Sequence, residues 1–206
     1  MKNTENWNDK DFVLEKVKQN GWSLEYASEE LRGDKEVVLE AVKEEGSALE
    51  YASEELRGDK DVVLETVKED GFSLRFASEE LQNDKEVVLV AVRRNGEALQ
   101  YASKNLQNDR DVVLEAVKKS GYALEYASEE LKNDEEVVFE AVKETGRALE
   151  YASDRLKGFR YIVLNAVRHH FFNLQHASKE LRDDIEIIAE VRENIEKNLK
   201  NNYKND

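Results

Sequence analysis

Proline and cysteine are both absent from the 206 residues. Without cysteine there are no disulfides and no thiolate metal sites, and nothing points to an oxidising compartment. Proline costs about 3 kcal/mol inside a helix, so its absence fits a chain of helices with very short joints. Long apolar runs are missing as well: none approaches the ~20 residues of a membrane span. Met1–Trp7 (MKNTENW) lacks the pattern of a signal peptide. These absences point to a cytoplasmic protein, a reading that leaves delivery into a host cell open. Basic charge is scarce, with 31 Lys and Arg against 46 Asp and Glu and a net charge of −15. A pI near 4.8 opposes direct binding to nucleic acid or to anionic membrane. At 40% apolar residues the chain still has enough to bury a core.

What is present is a repeat. Asp9, Asp34, Asp59, Asp84, Asp109 and Asp134 recur every 25 residues, and Phe159 and Asp184 keep the register. The expected organisation is a leader at 1–8, seven tandem units over 9–183 and a C-terminal capping helix with a tail at 184–206. The units start at 9, 34, 59, 84, 109, 134 and 159. The second, Asp34–Gly58, reads DKEVVLEAVKEEGSALEYASEELRG.

Its punctuation predicts two helices. Asp34 is a good N-cap, since its carboxylate accepts amide hydrogen bonds and favours the helix dipole. The first helix carries Val37, Val38, Leu39, Ala41 and Val42 over a wide arc, with Glu36, Glu40 and Lys43 outside. Gly46 is expected to end it as a left-handed residue. A second helix then carries Ala48, Leu49, Ala52 and Leu56 and stops at Gly58, where other units have Gly or Asn. Helices this short cannot bury their faces alone, so neighbours must stack. The expected fold is all-α: an α-solenoid of seven two-helix units plus a C-terminal capping helix.

The segment Leu49-Glu50-Tyr51-Ala52-Ser53 returns at Leu24–Ser28, Leu124–Ser128 and Leu149–Ser153. With the preceding DxxVVLxAV pattern, it resembles the tandem "LEYAS" repeats of a bacterial and protist family known only as a domain of unknown function. The resemblance covers about residues 9–183 and implies an all-helical repeat with no established activity. The seventh unit departs from it at Phe159, Phe171 and His176.

Catalysis needs a singular constellation, and a repeat offers the same residue at every layer. Ser28, Ser53, Ser78, Ser103, Ser128, Ser153 and Ser178 are seven equivalent copies, most of them with no base beside them, and read as small packing residues. Glu54-Glu55 and its relatives read as a solvated face rather than an acid–base pair. His169 and His170 point about 100° apart and His176 lies on another helix, a poor arrangement for zinc. A glycine-rich phosphate loop and a calcium-loop pattern are both missing. The expectation is a protein that is not an enzyme and needs no cofactor or metal.

That leaves the surface. Units two, three and six carry −5, −4 and −3, whereas units four and seven carry +1 and +2. Glu25, Glu50, Glu125 and Glu150 form one column; Glu29, Glu54, Glu79, Glu129 and Asp154 form another. Unit four interrupts the acid with Val90, Arg93, Arg94, Gln100, Lys104 and Asn105. A second period of 50 residues is visible after the inter-helix glycines: Trp22, Phe72, Tyr122 and Phe172 alternate with Ser47, Glu97 and Arg147. They serve either as wedges between layers or as anchors for a partner. Phe159, Tyr161, Phe171 and Phe172, with Arg160 and Arg168, are expected under the terminal cap, the alternative being a dimer or partner patch.

The function expected from this surface is non-enzymatic binding of a protein with a basic face, by a monomer or weak homodimer. The candidate contacts are the two glutamate columns, the aromatics, and Val90, Arg94 and Lys104. Two other readings stand beside it. One is an inhibitor that mimics nucleic acid, although duplex DNA at one charge per ~1.7 Å is far denser than the ridge. The other is a structural spacer.

Overall fold

The computed structural model describes residues 6–202; residues 1–5 of the expected leader and 203–206 of the tail lie outside the described residues. The chain divides into two compact parts, Met1–Gln107 and Asn108–Asp206. Both are built from the same 25-residue unit, and all their regular elements are helical.

Each unit has three segments rather than two. In unit two these are a ten-residue α-helix, Lys35–Glu44, a 3-10 helix, Gly46–Tyr51, and a four-residue α-helix, Glu54–Arg57. The expected second helix is therefore split. Ala52 (φ −68°, ψ 156°) and Ser53 (φ −58°, ψ 156°) are extended. The break has a cause outside the unit: the Ser53 N–H donates to the Arg32 carbonyl of the preceding unit at 2.9 Å. The Ser53 hydroxyl oxygen then accepts the Leu56 N–H at 3.3 Å and caps the short helix. Ser78, Ser103, Ser153 and Ser178 repeat both bonds. The serines are helix caps and inter-unit ties, a more specific role than small packing residues. In unit five a 3-10 turn, Leu131–Asn133, replaces the short helix.

The glycines also differ from expectation. No described residue has a positive φ. Gly33 and Gly58 sit at φ −94° and −97°, near ψ 0°, as Asn83 does at φ −105°. Gly21, Gly71 and Gly121 are needed for close approach instead. A Cβ on any of them would lie 2.3 Å from a backbone oxygen of the next unit, that of Ala41, Ala91 or Ala141. The next layer, not the turn, excludes the side chain.

Within each part the long helices pack against one another and against the 3-10 helices of neighbouring units. Val37, Val38, Ala41, Val42, Ala48 and Leu49 are wholly buried, and so are their register mates Val87, Val88, Ala91, Val92, Ala98 and Leu99. Burying a leucine of this kind contributes about 1.5–3 kcal/mol, which is how helices too short to persist alone are held. The last helix, Ile185–Asn202, packs on Arg160–His169 and on Phe171–His176 and buries Ile187.

Candidate interaction surface

The acids fall into two classes that the charge count merges. The first belongs to a ladder between units. Asp34 divides its two oxygens: Oδ1 accepts the Glu36 and Val37 amides at 3.0 and 3.2 Å, and Oδ2 accepts the Lys10 ammonium at 2.7 Å. Lys10 also reaches Glu36 at 2.8 Å. One unit on, Lys35 holds Asp59 at 2.8 Å; after that, Lys60 holds Asp84 and Glu86, both at 2.8 Å. In the second part Arg110 pairs with Asp134 and Glu136, and Arg160 with Asp184 and Glu186. Hydrogen bonds to Asp34 and then Glu36 push the Lys10 ammonium up to about 12. In return Lys10, Lys35 and Lys60 hold the carboxyls of Asp34, Asp59 and Asp84 below their ordinary value. The sequence signal is a Lys or Arg 24 residues before each capping Asp.

The second class is the predicted columns, and they behave differently from each other. Glu25, Glu50 and Glu125 are exposed, but Glu25 lies close enough to raise the Tyr51 pKa, and Glu125, after burial, helps to raise that of Tyr151. Glu150 is half-buried and pairs with Arg147 at 3.2 Å. This column is partly absorbed by the fold. The other column opens the short helices and is doubled by the residue after it. In Met1–Gln107 it comprises Glu29-Glu30, Glu54-Glu55 and Glu79-Glu80, all exposed. In Asn108–Asp206 it comprises Glu129-Glu130 and Asp154. The Glu54 and Glu129 side chains are 95% and 90% exposed, with Arg57 at 4.0 Å from the first and Lys132 at 2.9 Å from the second.

The unit-four residues are mostly engaged locally. Val90 takes the place of glutamates such as Glu40, which pairs with Lys43 at 2.7 Å. Arg94 Nε donates to the Glu69 carbonyl at 3.0 Å, and Lys104 Nζ to Gln107 at 2.9 Å. Of the aromatics, Trp22 is half exposed (51%) and donates from Nε1 to the Ser47 hydroxyl at 2.7 Å. It bridges two units while leaving one side to solvent. Phe72 is half-buried, and Tyr122 and Phe172 are exposed.

The seventh unit does not gather all its aromatics under the cap. Tyr161 turns back to unit six, its ring 5.7 Å from Phe139 and its hydroxyl donating to Glu135 at 2.6 Å. Burial first, then Glu135, pushes that hydroxyl up to about 12. Phe171 and Phe172 stack on His170 at 4.8 and 5.0 Å. The arginines secure the cap instead: Arg160 binds Asp184 and Glu186, and Arg168 reaches Glu190 at 2.8 Å. Burial lowers the His176 pKa. An open cleft of about 490 Å³ lies along Glu144, Arg147, His169, His170 and Phe172. Among the described residues no group of three or more His, Asp or Glu is placed to hold a metal ion, and no helix is long and apolar enough to cross a membrane.

Stacked units of this kind define a tandem helical-repeat protein. The chain belongs to the family described as a domain of unknown function (DUF4116), whose model matches residues 9–57, 59–107, 109–157 and 160–191. Each of the first three matches spans two 25-residue units. No curated protein and no solved structure matches the chain.

Proposed function

We propose that this chain is a non-catalytic interaction module that receives a protein with a basic surface on the carboxylates opening its short helices. The observation carrying this reading is the division of the acids. Those of the ladder are spent on neighbouring units, whereas Glu29-Glu30, Glu54-Glu55 and Glu79-Glu80 stand in solvent, two to a layer. Layers about 10 Å apart match a partner helix that presents Lys or Arg every seventh residue, at 1.5 Å rise per residue. Such a surface accelerates encounter and selects by charge, and salt weakens it. Acids in a first turn also favour the helix dipole, so the test must separate binding from helix stability.

The test compares two charge-matched variants as affinity baits. One reverses Glu54, Glu55 and Glu79 to Lys; the other reverses Glu15, Glu44 and Glu69 on the long helices. The expected result is that basic partners captured by the wild-type chain are lost with the first variant and kept with the second. Equal loss in both reduces the effect to net charge and sinks the reading. Competition by added duplex DNA for the same partner would move the assignment to nucleic-acid mimicry.

A further inference from the structure

Three successive joints in Met1–Gln107 are built on the same register yet are not equally tight. At the joint between units one and two, Lys10 lies 2.7 Å from Asp34 and 2.8 Å from Glu36. Between units three and four, Lys60 lies 2.8 Å from both Asp84 and Glu86. Between units two and three, Lys35 lies 2.8 Å from Asp59 but 3.5 Å from Asp61, which is one methylene shorter than its counterparts. The glycines follow the same alternation. A Cβ on Gly21 or Gly71 would meet the next unit's alanine oxygen at 2.3 Å, whereas on Gly46 the equivalent Thr66 oxygen would lie 3.4 Å away and the nearest atoms would be side-chain ones, the Asp70 Cβ at 2.9 Å and the Ser73 hydroxyl at 3.0 Å.

Further bonds add to the outer two joints. Trp22 closes on Ser47 at 2.7 Å in the first. In the third, the Gly71 N–H donates to Asn95 at 2.9 Å and Arg94 to the Glu69 carbonyl. The alternation is written along the whole chain: Asp11, Asp61 and Asp111 occupy the register that holds Glu36, Glu86, Glu136 and Glu186 in the other units. The family matches break at the same places, after residues 57, 107 and 157.

We infer that units one with two and three with four are the rigid pieces, and that the joint at Gly58–Asp59 is a built-in hinge. One bond common to all three joints reports on it. The amides of Ser53, Ser78 and Ser103 donate to Arg32, Arg57 and Gln82 of the preceding unit, each at 2.9 Å. Local opening sets the exchange rate of such amides.

The experiment is residue-resolved hydrogen exchange by NMR on the full chain near neutral pH. The Ser78 amide is expected to exchange roughly tenfold faster than those of Ser53 and Ser103, relative to intrinsic rates. Fraying from the N-terminus predicts another order, with Ser53 fastest, and that order would overturn the hinge. So would protection at the three serines that agrees within about twofold. Asp61→Glu lengthens the short acid and is expected to slow Ser78; Glu86→Asp is expected to speed Ser103. If neither amide moves, the acid does not set the joint.

Discussion

The joint between units three and four and the joint between units six and seven hold the same pair of backbones with different chemistry. At the former, Lys60 ties Asp84 and Glu86, Asp84 caps the next helix, and Gly71 lets the Ala91 carbonyl come close. At the latter, Glu135 stands where the base should be and Phe159 where the acid should be. The helix Arg160–His169 has no side-chain cap, and Tyr161 bridges back to Glu135 and Phe139. Both ends of the missing ion pair have changed together. A lone lysine facing Phe159 would lose its partner, and a lone aspartate at 159 would face a like charge. The difference teaches that each joint is a two-position unit, and that the departure of the seventh unit begins in the sixth.

The steepest contrast is expected from one methyl group. Gly71→Ala places a Cβ 2.3 Å from the Ala91 oxygen, so backbone must move, at about 1–3 kcal/mol or more. For a chain of this length that lowers Tm by roughly 2–12 °C. Gly146→Ala meets the Asn173 amide at 2.6 Å and the His169 Cβ at 2.7 Å, but the next unit's backbone oxygen, that of Ala166, only at 2.8 Å, and is expected to cost less. Calorimetry of the two variants decides it; equal Tm losses would mean that the two joints are equally close.

Acid separates the joints by charge. Lysine contact holds the carboxyls of Asp34, Asp59 and Asp84 below their ordinary 3.8, so their contribution is complete above that pH and is lost as pH falls through the still lower folded values. Phe159 has no such proton to take up. Protection of the Ser53 and Ser103 amides is therefore expected to fall below about pH 4 while that of Ser178 persists. Alkali should not discriminate. Lys10 and Tyr161 both rise to about 12, from 10.5 and 10.0, and both contributions are present below those ordinary values and lost as pH passes 12. A parallel loss at all three serines in acid would show that the carboxylates do not hold the joints.

Much of this architecture is legible in single units. Asp34 reads as a cap because its duty lies two and three residues ahead, and Val37, Ala41 and Leu49 read as core from helical spacing. Gly46 and Ser53 mislead for one shared reason. Their constraints come from another unit, Asp70 and Ser73 for the glycine and Arg32 for the serine. A unit read alone offers only a turn to explain the glycine and only small size to explain the serine. The ladder is visible only when Lys10 is set against Asp34, or Glu135 against Phe159. The exposed pairs Glu54-Glu55 and Glu79-Glu80 are in the sequence, but nothing in composition separates them from Asp59 and Asp84, whose charge is already engaged. Phe159, Tyr161, Phe171 and Phe172 form a group in sequence and two clusters in space, Phe159 with Tyr161 at 6.1 Å and Phe171 with Phe172 at 4.2 Å, because the helix Arg160–His169 separates the two pairs along its length.

The finest prediction rebuilds the regular joint inside the exceptional one. Phe159→Asp alone removes the ring contacts with Tyr161 at 6.1 Å and with Arg155 at 5.1 Å, and it sets a carboxylate opposite Glu135. Glu135→Lys alone removes the acceptor of the Tyr161 hydroxyl. Each single variant is expected to lower Tm. Together they restore the Lys-to-Asp spacing of 24 residues seen from Lys10 to Asp34, and Asp at 159 regains the capping position before Arg160. The coupling in the double-mutant cycle should be positive and on the order of 0.2–1 kcal/mol, the usual scale of an exposed pair. It should shrink in high salt, because screening weakens an ion pair and leaves aromatic contacts untouched. Additive effects at low salt would mean that positions 135 and 159 changed independently, and that the joint is not a two-position unit.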